Sequence, residues 1–159
     1  MASTISAMPD VTWAEFESSA PDLVSSGSDL LFHPGFGFGY LATVSEAGGP
    51  RIHPINPLIS DGHLLAFIMP TPKLEDLRAN GRYALHSSQT ETVDDEFMLA
   101  GRAVLREADR GLRQASLSGH PLTVGEDHVL VEFLIRRALL VHYPGAGASP
   151  ESRVWSAPG

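Results

Sequence analysis

The sequence predicts a mainly β fold, a closed or nearly closed antiparallel barrel with short peripheral helices. Three observations carry this. Six or seven apolar segments of strand length follow one another along the chain. Short turn-rich connections join them, among them Glu46-Ala47-Gly48-Gly49 and Ser60-Asp61-Gly62-His63, as hairpins require. The helical stretches are short and do not alternate with the strands, so a parallel sheet built from crossovers does not fit.

Residues 1–11 show no periodic pattern and are expected to be a flexible start, leaving 12–159 as a single domain. Thr12 stands as N-cap before Trp13-Ala14-Glu15-Phe16, and Glu15, three residues on, completes a capping box. Pro21 interrupts that helix, and 22–32 forms a second. Gly35-x-Gly37-x-Gly39 leads into a strand at 40–44. Residues 50–59 are extended, with Pro54 and Pro57 limiting which edges can pair. Asp61-Gly62 supplies the positive φ of a tight turn, and 63–69 is so apolar that it is expected to be buried.

A short helix follows. Thr71 is its N-cap, Pro72 its first residue because proline has no N–H to lose there, and Asn80-Gly81 its stop. Strands at 82–87 and 96–107 flank an acidic loop at 88–95. A helix at 109–118 precedes strands at 129–135 and 138–143, which Arg136-Arg137 separate. Arg153-Val154-Trp155 is a last short strand.

Composition narrows the function classes. At 159 residues and 43% apolar content the chain can bury a real core. It has no cysteine, which removes disulfides, thiolate metal sites and thiol catalysis. No apolar run approaches the roughly 20 residues of a membrane span. The start, Met1-Ala2-Ser3-Thr4-Ile5-Ser6-Ala7, has neither the basic nor the apolar region of a secretory signal, so the expected location is cytoplasmic. A formal net charge of −8 argues against nucleic acid or an anionic membrane as partner.

Several motifs carry less than they suggest. A dinucleotide loop needs a strand before its glycines and a helix after them; here the order is reversed. The bland alternative is a loop whose Phe36 and Phe38 pack on the barrel end. The seven histidines form no i, i+4 pair, so no metal site is assigned, although one assembled from separate strands stays open. Asp94-Asp95-Glu96 are neighbours facing opposite ways, which cannot flank one glycosidic bond, and are expected to be a solvated loop. There is no Gly-x-Ser-x-Gly elbow.

What remains is Lys73, the single lysine. It falls in the first turn of the helix that Thr71 and Pro72 open, where free N–H groups and an ammonium make an anion cradle. The alternative is an exposed lysine beside an ordinary cap. Arg51 and His53 alternate in Arg51-Ile52-His53-Pro54 and so share one face of an extended segment.

These pieces occur in a recognisable order: Leu41-Ala42-Thr43-Val44, a Gly-Gly-Pro turn, Arg51-Ile52-His53-Pro54-Ile55, Asp61-Gly62-His63-Leu64, Pro72-Lys73-Leu74-Glu75-Asp76-Leu77-Arg78, and Gly81-Arg82-Tyr83-Ala84-Leu85-His86. Together with Glu96-Phe97 and Gly101-Arg102-Ala103, the chain resembles the pyridoxamine 5'-phosphate oxidase-like, FMN-binding split-barrel family over roughly residues 12–145. The resemblance implies a six-stranded antiparallel split barrel working as a homodimer, with flavin at the subunit interface. Lys73 and Thr71 would be phosphate ligands. Arg51, His53, Pro54 and Ile55 would line the flavin, with Ile68 and Met69 near its ring or ribityl chain. Trp155 would cover the ring from the other subunit.

The family's oxidases carry basic residues at both ends of the second-strand motif, where this chain has His53 and Leu58. Losing them exchanges charge-assisted bonds for weaker ones. The expectation is therefore a member of the broad actinobacterial-type branch rather than a vitamin B6 oxidase. Its activity would be that of a flavin- or deazaflavin-dependent oxidoreductase acting on a small molecule. The expected cofactor is FMN, with deazaflavin, haem or none as alternatives; the non-catalytic alternatives are a flavin- or haem-binding protein of storage or sensing, or a cofactor-free dimer. No catalytic side chain is assigned, because a flavin does the hydride chemistry itself.

Overall fold

The structure, a computed structural model, describes residues 9–33 and 35–159. The helices are α1 (Trp13–Ser19), α2 (Pro21–Leu31), α3 (Pro72–Asn80) and α4 (Arg110–Leu117). The strands are β1 (Gly39–Val44), β2 (Pro50–Ile55), β3 (Leu58–Ser60), β4 (His63–Ile68), β5 (Arg82–Ser87), β6 (Glu96–Leu105), β7 (Val129–His142) and β8 (Glu151–Ser156). Part of the 1–11 expectation lies outside the described residues. Val11, however, exchanges backbone bonds of 2.9 and 2.8 Å with Ile135, and Arg136 donates to Asp10 at 2.7 Å, so held structure begins before residue 12.

All eight strands form one antiparallel sheet in the order β2-β1-β5-β6-β7-β4-β3, with β8 beside the far half of β7. β2 and β3 stand at opposite ends of that order, yet only Asn56 and Pro57 separate them in sequence. A two-residue link can join the two ends only if the sheet curls on itself, which makes it a barrel. The mainly β barrel with short helices is thus present, with eight strands where six were expected.

Two local features move strand boundaries from where the sequence placed them: one expected strand is divided and two are joined. Residues 50–59 do not run straight: the chain turns at Asn56-Pro57, where Asn56 Nδ2 donates to the Gly37 carbonyl at 2.9 Å. A Cβ on Gly37 would stand 1.9 Å from the Pro57 carbonyl, so only glycine fits there. Arg136-Arg137, in contrast, does not end a strand. β7 passes through as one 14-residue strand, and the register against β6 shifts from Ala100↔Arg137 to Gly101↔Ile135, leaving Arg136 as the extra residue of a bulge. Both arginines are exposed, so the bulge carries two adjacent polar residues without burying either.

The local signals of the helices hold. Thr12 and Glu15 make both bonds of the capping box, and Asp61 (φ 49°) with Gly62 (φ 78°) forms the tight turn. Gly81 ends α3 in the left-handed region at φ 69°. Asp95 departs from the solvated-loop expectation: it accepts from His142 Nδ1 at 2.8 Å and the Tyr143 N–H at 2.9 Å, fastening the loop to the end of β7.

The inward side of the sheet builds the core. Leu41, Leu85, Leu99 and Ala138 are in register across β1, β5, β6 and β7 and nearly inaccessible. Trp13, Phe16, Leu23, Val24 and Leu31 of α1 and α2 close over them. Leu112 of α4 covers a smaller cluster with Leu65 and Leu130. Glu132 is fully buried in β7, hydrogen-bonded to His63 Nδ1 at 2.6 Å and paired with the Arg106 guanidinium, as a buried carboxylate requires. α3 packs against β1 and β6 and so carries Lys73 to the β2 side of the barrel.

Candidate functional site

Pairing with β1 decides which β2 side chains turn inward. Arg51 is opposite Thr43, His53 opposite Leu41 and Ile55 opposite Gly39, and the β1 residues Thr43 and Leu41 are buried. Arg51 and His53 therefore share the inner face, as their alternation predicts, with Ile55 sealed below them at 5% exposure.

α3 supplies the facing groups. Lys73 is half-buried and Nζ donates to the Pro54 carbonyl at 3.4 Å. Among the described residues it has no carboxylate within ion-pair distance, and burial lowers its pKa. One turn on, Asp76 is 5% exposed, accepts the Thr43 hydroxyl at 2.8 Å and lies 3.7 Å from the Arg51 guanidinium. His53 Nε2 lies 3.4 Å from the Thr43 Oγ1. Its pKa is lowered, first by burial and then by the Lys73 charge, with Arg51 adding to this and Asp76 opposing it.

Two hollows flank this cluster. Lys73, Pro54, Ile55, Ile68 and Met69 line a cleft of about 210 Å³ whose far wall is the segment from His120 to His128. No acidic side chain lines it. Arg51 and Thr71 face the other hollow, a broad recess of about 650 Å³ rimmed by Glu46, Glu75 and Asp76. Those carboxylates repel an anion, so a phosphate is better served on the Lys73 side. His53 sits on β2 between the two and lines neither.

The structure thus gathers Pro54, Ile55, Ile68, Met69 and Lys73 at one cleft and sets Arg51 and Thr71 beside it. Thr71 does not cap α3 with its side chain; its hydroxyl donates back to the Met69 carbonyl at 3.2 Å. Pro72 has already removed the first N–H and Leu74 N–H is taken by the Thr71 carbonyl at 2.9 Å, so little demand for a side-chain cap remains. Trp155 stands apart from the cleft of its own chain. Its ring packs on Phe16 at 4.6 Å and its indole N–H donates to Ser19 at 2.9 Å.

Sequence reasoning missed Asp76 and Thr43. Asp76 is three residues past Lys73 and hence on the same helix face, which is the signal that was available. His120 and His128 were also missed, because a long connection brings them to the cleft. Arg113 fastens that connection by donating to the carbonyls of His128 (2.6 Å) and Gly125 (3.2 Å). No cluster of three or more metal-ligating side chains occurs among the described residues.

The residues present fit the phosphate of a flavin. Among the described residues, a half-buried cation without a counter-ion faces a cleft of mixed apolar and polar lining that holds no acid. The fit is partial, since ligand pockets of this kind usually run to about 300–1,000 Å³ and one chain encloses less.

No family model matches the chain. No curated protein matches it either. Solved structures do. A haem-binding protein from Mycobacterium smegmatis superposes with a TM-score of 0.63 at 16% identity, covering 84% of this chain and 58% of its own, so this chain spans little more than half of that protein. A protein related to general stress protein 26, of the pyridoxinephosphate oxidase family, from Clostridium acetobutylicum gives 0.60 at 16% identity, with 90% and 95% covered. A pyridoxamine 5'-phosphate oxidase-related, FMN-binding protein from Nostoc punctiforme gives 0.56 at 12% identity, with 90% and 97% covered. The chain has the pyridoxamine 5'-phosphate oxidase-like split-barrel fold. Identities this low speak for the fold alone. Among the described residues of this split barrel, no helix is long and apolar enough to cross a membrane.

Proposed function

We propose that this split barrel binds FMN or a deazaflavin by its phosphate at Lys73 and acts as an oxidoreductase on a small molecule. The observation that carries the reading is the half-buried Lys73, with no counter-ion among the described residues, at the head of a cleft that none of their acids lines. A cation so placed gains its partner from a ligand. Such a cofactor supplies hydride transfer when bound. The chain's own residues do the rest: Lys73 neutralises the phosphate, while Ile55 and Ile68 give an apolar wall that excludes water. The FMN-binding neighbour from Nostoc punctiforme supports this choice.

A second copy of the chain completes the site in this reading. The cleft of one chain is small, and the outward sheet face beside it is mostly apolar up to Arg137 at the end of one row. Tyr40, His86, Met98, Leu139 and Val154 are in register across five strands, and Ile52, Ala42, Ala84 and Ala100 run parallel to them. Ile52 is 72% and Val154 53% exposed. In the first half of β7, Leu130 and Val131 are buried within the chain itself and add nothing to that face.

Titration of the purified protein with FMN, a deazaflavin and riboflavin tests the reading. Saturable binding of a phosphorylated flavin-type cofactor, tighter than riboflavin, is expected; binding of none of the three overturns it. Haem is the second reading, favoured by His120 and His128 on the cleft wall and by the haem-binding neighbour. A Soret band on haemin titration that His120→Ala or His128→Ala abolishes would establish it in place of the first.

A further inference from the structure

A buried carboxylate lies beneath the Lys73 cluster, and the binding of a phosphate does not use it. Asp76 is 5% exposed, yet it lies 3.7 Å from the Arg51 guanidinium and acts, with Lys73, on the charge of the His53 ring. Its bonds have a direction. The Thr43 hydroxyl, itself buried, has one hydrogen and donates it to Asp76 at 2.8 Å. Toward His53 Nε2, 3.4 Å away, the same oxygen can only accept. Nε2 must then carry the ring hydrogen, and in a neutral imidazole Nδ1 is left as a bare acceptor. Nδ1 has no hydrogen-bond partner among the described residues.

We propose that Asp76 and Thr43 are positioning residues that hold His53, which stands on β2 between the two hollows, as the Nε2–H tautomer, so that Nδ1 offers a lone pair to a hydroxyl or N–H of a ligand that extends across β2 from the anion Lys73 holds. The proposal rests on the phosphate reading above for the ligand, but not for the tautomer. Its consequence is a division of labour. Lys73 takes the anion. His53 refuses a second anionic oxygen, which brings another acceptor to its lone pair, and accepts a donor. The ligand class this selects is a phosphomonoester whose chain bears hydroxyls, rather than inorganic phosphate. Burial and the neighbouring Lys73 and Arg51 charges, against the opposing charge of Asp76, favour the neutral ring this requires.

The tautomer is read in the free protein by long-range ¹H–¹⁵N correlation NMR of the His53 ring at pH 7.5, assigned with His53→Ala. The Nε2–H pattern is expected. Thr43→Ser keeps it. Asp76→Asn reverses it: the Asn oxygen turns to the Arg51 guanidinium, its amide donates to Thr43, and the Thr43 hydrogen swings to Nε2, leaving the proton on Nδ1. A wild-type ring protonated at Nδ1, or an Asp76→Asn ring unchanged from wild type, overturns the relay. The ligand side uses two probes on the same protein. Ribitol 5-phosphate is expected to bind about tenfold tighter than inorganic phosphate, the worth of one net hydrogen bond, with the gap closed in His53→Ala. A gap that survives His53→Ala overturns the role of Nδ1. If neither probe binds while the tautomer is as stated, the phosphate reading fails and the relay stands.

Discussion

Lys73 and His53 differ in what the fold does to their charge. Burial lowers the pKa of Lys73, which means the folded chain holds its ammonium at a cost, and the first turn of α3 adds to that cost. Lys73→Ala should therefore leave the free protein as stable or slightly more stable, while weakening FMN about tenfold to a hundredfold, the worth of a charge-assisted bond. Riboflavin, which lacks the phosphate, should bind nearly unchanged. Parallel fluorescence titrations decide; equal losses for the two ligands would make Lys73 a loop-shaping residue. His53 gives a pH signature instead. Its folded pKa lies below the ordinary 6.5, through burial first and the Lys73 charge second. The unfolded chain then takes up the proton more readily, so this group's contribution is present above pH 6.5 and is lost as pH falls through the lowered folded value. Denaturant midpoints at pH 7.5 and 5 should show His53→Ala losing less stability on acidification than wild type, because the other histidines are common to both. An equal loss would remove His53 as a source of acid sensitivity.

At the level of elements, the most consequential device is the bulge between β6 and β7. Gly101 faces the extra residue, and a Cβ there would stand 2.1 Å from the Leu134 carbonyl and 3.0 Å from the Arg136 nitrogen. Neither is a flexible side-chain end, so the backbone itself must move. Gly101→Ala should cost about 1–3 kcal/mol, as overpacking does; chemical denaturation would measure it, and a change under ~0.5 kcal/mol would show that the bulge relaxes freely. The same bulge marks where the sequence was opaque. Capping at Thr12, the Asp61-Gly62 turn and the Gly81 stop depend on neighbours in sequence, and each was legible. Whether Arg136-Arg137 is a loop or a bulge depends on what β6 offers across the ladder, and two adjacent arginines fit both. The corner at Asn56-Pro57 was hidden for a similar reason, because the Gly37 carbonyl that Asn56 holds is 19 residues away. In the site, Lys73 and the Arg51/His53 alternation could be read directly. The Asp76–Thr43 bond joins residues 33 apart and needed the fold.

The whole molecule leaves one large surface unexplained by a single chain. The curled sheet buries its inner face under α1 and α2, but its outer face across β2, β1, β5, β6, β7 and β8 presents two rows of mostly apolar side chains. Tyr40 and Ile52 on it are 44% and 72% exposed. Antiparallel sheets that face water on one side normally place polar residues there. Six strands spaced about 4.8 Å apart make a face roughly 25 Å wide, and a patch that size can supply the ~800 Å² per partner of a stable interface. An isologous dimer about a twofold axis, as proposed above, would cover it with its own copy. The face adjoins β2, whose inner side carries Arg51 and His53, so the second subunit would stand where it can wall the Lys73 cleft. Ile52 is the sharpest place to test this, because it is the most exposed of the large apolar side chains on the face and its neighbours Ala42 and Ala84 give a charge no partner. Ile52→Asp should convert the dimer to monomer at micromolar concentration by sedimentation velocity, leave the circular dichroism spectrum unchanged, and lower FMN affinity at least tenfold, since every 1.4 kcal/mol of lost contact is a factor of ten. A dimer that persists in Ile52→Asp would place the interface on another face. A wild-type monomer that still binds FMN tightly would show that one chain makes the whole site.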